Sequence, residues 1–125
     1  MTYAPQHFTV WTEIPTTDMD RAIAFYEAVT TAELRRDDSG PNPMAMFPTG
    51  DKDGVAGHIY PGKPAAPGTG PTIHLAAPGT AEEIAKRVEA AGGKVISPPI
   101  AIPAGRFFYA EDLDGNSVGF FEAVD

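Results

Sequence analysis

One order of elements, strand, helix, strand, strand, strand, can be read twice along this chain, with a proline- and glycine-rich stretch from Pro61 to Pro71 between the two readings. An internal duplication of this kind predicts an α+β fold made of two βαβββ modules in tandem. The first module spans about residues 7–60, the linker 61–71 and the second module about 72–123, all within one domain. Residue identity between the halves is low, so the duplication rests on the order and spacing of elements, with Val55-Ala56-Gly57 loosely echoing Ser117-Val118-Gly119.

Local patterns support each element. Phe8, Val10, Thr12 and Ile14 alternate with Thr9, Trp11 and Glu13, the period of a strand. Thr17 with Asp20 predicts a cap for a helix over Asp18 to Thr30, whose apolar stripe holds Ile23, Tyr26 and Val29. Three short strands are then predicted at Ala32 to Arg36, Met44 to Phe47 and Val55 to Tyr60. The second half opens with a strand at Thr72 to Ala77, and Thr80 with Glu83 forms a capping box for a helix carrying Ile84, Val88 and Ala91. Gly92-Gly93 ends that helix; strands follow at Lys94 to Ser97, Arg106 to Glu111 and Ser117 to Glu122, with a turn at Asp112 to Asn116.

Composition excludes several functions. The chain has no cysteine, which removes disulfides, thiolate metal sites and cysteine nucleophiles and points to an intracellular protein. A net charge of −8 and five scattered arginines disfavour a nucleic-acid partner, and the same field favours cationic ligands. The N-terminus lacks a signal-peptide pattern and no apolar run reaches membrane length, so a cytoplasmic location with no membrane partner is expected. Nucleotide-binding glycine loops and nucleophile elbows are missing, and Asp112 and Asp114 read as turn formers rather than calcium ligands.

The stretch Glu13-Ile14-Pro15-Thr16-Thr17-Asp18-Met19-Asp20-Arg21-Ala22, followed by Phe25-Tyr26, resembles the first-module signature of the vicinal oxygen chelate superfamily, which includes glyoxalase I, bleomycin-resistance proteins and extradiol dioxygenases. Gly92-Gly93-Lys94-Val95, Pro98-Pro99, Gly105-Arg106 and Asp112-Leu113-Asp114-Gly115-Asn116 resemble the second; Leu113 replaces the proline usual in that turn. The resemblance implies two curved mixed sheets forming a cleft, a small-molecule ligand, a frequent homodimer, and in metal-using members one ligand on the first and last strand of each module. Carried over, those positions are Trp11, Gly57, Thr72 and Gly119. A divalent site generally needs three or more His or carboxylate ligands, so no metal and no cofactor are expected.

Residues expected to line the cleft are Trp11, Glu13, Gly57, Thr72, His74, Tyr109, Gly119 and Phe121, with Arg106 and Phe107 nearby. The two glycines are expected to leave room for a ligand. His58, next to Gly57, is expected to turn away from the cleft, and His7 to lie at the start of the first strand. Three readings stand. The first is a metal-independent protein that binds a small aromatic or cationic molecule; the second is a metal-free lyase or isomerase using His74 or Glu13 as acid or base. The third is a metal-dependent lyase or dioxygenase with ligands relocated to His7, His58, His74, Glu13 or Glu122.

Overall fold

The computed structural model describes residues 2–123. Its first half contains β1 (Thr12–Thr16), α1 (Met19–Thr30), β2 (Arg35–Asp37), β3 (Met44–Met46) and β4 (Gly57–Pro61). They form a four-stranded sheet in the order β1-β4-β3-β2, with β1 and β4 parallel and the other pairs antiparallel. The second half contains β5 (Ile73–Ala77), α2 (Ala81–Ala90), β6 (Lys94–Val95), β7 (Ile100–Ile102), β8 (Gly105–Glu111) and β9 (Ser117–Glu122). Its sheet runs β5-β9-β8-β6, with β7 beside β6 on the same edge of β8. The two sheets are separate, and the tandem α+β architecture expected from the sequence is the one observed.

Some expectations are corrected. The first ladder begins at Thr12 rather than Phe8, because β4 starts at Gly57, opposite Thr12, and offers no partner further back. Phe8 and Val10 are accordingly exposed. The N-cap of α1 is Asp18, whose carboxylate accepts the Arg21 N–H at 3.2 Å. Thr17 is unavailable as a cap because its N–H and hydroxyl donate to Asp114 at 2.9 and 2.7 Å. β7 was not foreseen, since its three residues sit between Pro99 and Pro103; as an edge strand it tolerates such flanks. The Thr80–Glu83 capping box is present, with both reciprocal bonds made.

One continuous core joins the halves. Ile14, Phe25, Tyr26, Val29 and Ile59 of the first pack with Ile84, Val88, Phe108, Val118 and Phe120 of the second, each burial contributing about 1.5–3 kcal/mol. The turn after α2 lies close against α1 at Gly93, where a Cβ would stand 2.6 Å from the Phe25 ring. The turn after β8 clasps the first half: buried Tyr26 donates its hydroxyl to Asp112 at 2.6 Å, Thr16 donates to Asp114 at 2.5 Å, and the Asn116 amide donates to the Pro15 carbonyl at 2.8 Å. Burial first, and the Asp112 carboxylate second, hold the Tyr26 hydroxyl well above its usual pKa, so it remains a donor. No helix among the described residues is long and apolar enough to cross a membrane.

Candidate functional site

Strand alternation divides the first sheet into two faces. Ile14, Thr16, Ala45 and Ile59 are buried on the side of the helices. On the opposite face the register places Glu13 beside His58, His58 beside Met46 and Met46 beside Arg35, one residue from each strand. Trp11, just before β1, joins this face and donates its indole N–H to His58 Nδ1 at 2.8 Å. His58 Nε2 lies 3.3 Å from Glu13 Oε2. Indole nitrogen only donates, so the Trp11 bond requires a lone pair on Nδ1 and leaves the ring proton on Nε2, facing the carboxylate. Nδ1 of this buried imidazole is therefore hydrogen-bonded, and Nε2 faces the Glu13 carboxylate. The indole and the carboxylate that it holds stay accessible, Trp11 at 46% and the Glu13 side chain at 63% exposure.

The expected positions of Gly57 and His58 are thus reversed. Gly57 pairs with Thr12 on the helix side, and a Cβ there would stand 2.2 Å from the Thr12 carbonyl oxygen. Glycine at this position permits close strand approach. Adjacent residues of a strand face opposite ways, so with Gly57 opposite Thr12 it is His58 that shares the face of Glu13.

On the second sheet, Thr72, His74, Phe107, Tyr109, Gly119 and Phe121 share one face, while Phe108, Val118 and Phe120 are buried on the other. The His74 ring lies 5.2, 5.7 and 5.8 Å from the rings of Phe107, Tyr109 and Phe121, edge-on to each. A Cβ on Gly119 would meet His74 Nδ1 at 2.2 Å, so the imidazole rests directly on the glycine. The space expected to be left for a ligand holds this ring instead. Thr72 is hydrogen-bonded to Ser117 through the two hydroxyls, 2.6 Å apart. Arg106 is directed elsewhere: its guanidinium pairs with Glu82 at 2.5 Å and Glu122 at 3.0 Å.

A family model for the glyoxalase/bleomycin resistance protein/dioxygenase superfamily matches residues 6–120. The chain belongs to this superfamily. Solved structures agree on the fold. A fosfomycin resistance protein, FosX, from Listeria monocytogenes superposes with a TM-score of 0.71 at 16% identity, covering 97% of this chain and 94% of its own. A hypothetical protein from S. aureus gives 0.68 at 20% identity, over 95% of this chain and all (100%) of its own. A glyoxalase I mutant from Zea mays gives 0.65 at 20% identity, over 90% of this chain and 44% of its own. No curated protein matched the sequence.

Within this glyoxalase-superfamily chain the expected site residues that line cavities are spread over three of them. Gly57 and His74 border a cavity of about 210 Å3 at the seam between the sheets, with Thr12, Ile14, Phe47 and Ile73. Trp11 borders a groove of about 330 Å3 with Arg35, Met46, Phe47 and Pro48. Glu13 lines another, of about 170 Å3, with Pro71, Asn116 and Ser117. The cavity containing His74 contains neither Trp11 nor Glu13, so one chain does not gather them around a single pocket. Metal-using relatives require a convergent donor set. Among the described residues no three His, Asp or Glu side chains converge as a metal requires, and the His58–Glu13 pair has no third member. The side chains present in one chain do not fit such an ion.

His58, Met46 and Arg35 were missed as residues of the Trp11–Glu13 face. The Met44-Ala45-Met46 alternation was a usable signal, since it marks a short strand with two faces. The register that aligns the row across four strands has no local sequence signature.

Proposed function

We propose that this superfamily member is a binding protein that captures a small aromatic or cationic molecule on the Trp11–Glu13 face without a metal. We place it in the cytoplasm as a homodimer. The observation carrying this reading is His58, engaged on one nitrogen by Trp11 and on the other by Glu13. We assign His58 as a positioning residue. It fixes an aromatic face and a carboxylate side by side, the pair that attracts an organic cation through its charge and through the ring quadrupole. The net charge of −8 adds a favourable field for such a ligand. Thermal-shift titration tests the reading: aromatic amines such as benzylamine raise the Tm with concentration, and the shift shrinks in Glu13→Gln and Trp11→Ala. A library of aromatic amines with no stabiliser in it contradicts the reading.

A second reading rests on His74. Neither of its ring nitrogens makes a hydrogen bond among the described residues, and it borders the seam cavity. That leaves an imidazole available as acid or base for a metal-free lyase or isomerase reaction. Turnover that is lost in His74→Ala while aromatic-amine binding persists favours this reading over the first.

A further inference from the structure

Two adjacent arginines point to opposite sides of β2. Arg36 lies opposite Ala45 on the helix side and pairs with Asp20 at 2.6 Å and Asp38 at 3.3 Å. Arg35 lies opposite Met46 on the face of Trp11 and Glu13, and among the described residues it makes no ion pair; its guanidinium Nη2 rests 3.9 Å from the Met46 sulfur. Asp37, on the same face, is held by the Ser39 N–H and hydroxyl at 3.0 and 2.6 Å, and Arg35 acts on its carboxylate only as a weaker, through-space charge. The face therefore ends in a carboxylate at Glu13 and in a guanidinium at Arg35. His58 on β4 and Met46 on β3 lie between them; Trp11, Met46 and Arg35 border one groove, and Glu13 lines a separate one.

Both ends lean inward. The Glu13 carboxylate reaches His58 on β4, the Arg35 guanidinium reaches Met46 on β3, and these strands are neighbours. Strands pair about 5 Å apart, so the two charges stand on the order of 10 Å apart. Guanidinium is well shaped for a carboxylate, which it can hold through two parallel N–H donors.

We infer that Arg35 is the anion anchor of this face and that the site takes a small planar zwitterion. Its flat body lies on Trp11 and Met46, its cationic group meets Glu13, and its carboxylate meets Arg35. This inference rests on the binding reading above and specifies its ligand class.

Trp11 is the chain's one tryptophan, so its fluorescence reports on this site alone. Three probes separate the contributions: benzylamine carries only the cation, 4-methylbenzoate only the anion, and 4-(aminomethyl)benzoate both. The zwitterion is expected to bind about fivefold more tightly than benzylamine, the ratio for one well-placed exposed ion pair. Arg35→Gln reduces that ratio to about one, whereas Arg36→Gln, which removes the same charge from the other side of β2, preserves it. Equal affinity of the zwitterion and benzylamine, or a ratio that survives Arg35→Gln, overturns the inference and leaves the aromatic-cation reading intact. No saturable fluorescence change with benzylamine overturns both.

Discussion

Trp11 donates its indole N–H to His58 Nδ1 at 2.8 Å, and that single bond sets the tautomer of the imidazole and the direction of its remaining proton toward Glu13. In nitrogen-resolved NMR, the neutral imidazole of His58 is expected to carry its proton on Nε2 and none on Nδ1. Substituting Trp11 by Phe keeps an aromatic ring but removes the donor, and the preference for that tautomer weakens. A proton resident on Nδ1 of the wild-type protein contradicts the arrangement.

Removing the imidazole releases what it holds. In His58→Ala the Trp11 fluorescence anisotropy falls, benzylamine binds several-fold more weakly, and stability drops by about 1–3 kcal/mol for a lost buried side chain and its bonds. His58→Gln retains one donor and one acceptor on an amide and recovers part of the affinity. Loss of stability in His58→Ala with wild-type affinity confines this residue to a packing role.

Two glycines are required for different reasons, and the same substitution separates them. A Cβ at Gly57 meets the Thr12 carbonyl of the neighbouring strand at 2.2 Å, whereas one at Gly119 meets the His74 ring, also at 2.2 Å. Strand backbone cannot move aside; an exposed imidazole can rotate. Gly119→Ala is therefore expected to cost about 1–3 kcal/mol and to displace His74 from its aromatic neighbours, and Gly57→Ala to cost more. Urea midpoints, together with the His74 ring-proton shifts, check both the order and the cause.

The two halves are also held by Tyr26 and Asp112. Tyr26→Phe keeps the ring packed but leaves the buried Asp112 carboxylate without one of its donors, at a cost of about 1–3 kcal/mol. Because one core spans both modules, denaturation of this variant should remain a single transition with the same m-value and a lower midpoint. Two separated transitions contradict a shared core.

Asp114 predicts part of the acid sensitivity. Partial burial alone would raise its pKa, but hydrogen bonds from the Thr16 hydroxyl and from the Thr17 N–H and hydroxyl outweigh it and hold the group below the usual carboxylate value. A depressed native pKa stabilises the fold fully above the unfolded value of about 3.9, and that stabilisation disappears as pH falls through the lower native value. Stability measured from pH 6 downward should thus lose a component below about pH 4, and Asp114→Asn should lack that component.

The fold was legible because its signals are local. The capping box at Thr80, the glycines after α2 and the strand alternation from Ser117 to Glu122 each depend on residues a few positions apart. Much of the site was not, because its faces depend on register between strands far apart in sequence. Trp11 and Glu13 are correctly read as sharing a face, since two residues within one segment suffice for that. Their partner His58 is 47 residues from Trp11, and which face of β4 it takes depends on the pairing of β4 with β1, which no local pattern reveals. Arg35 was hidden by its neighbour Arg36, because charge alone does not tell which of two adjacent arginines already has carboxylate partners.

The central claim is that Trp11 and Glu13, held by His58, form a binding face for an aromatic cation. A crystal structure of the protein with benzylamine tests it most directly. The account predicts the ring against the Trp11 indole and the ammonium roughly 3 Å from a Glu13 carboxylate oxygen. Benzylamine seated instead among His74, Phe107 and Phe121, with the Glu13 carboxylate uncontacted, contradicts it.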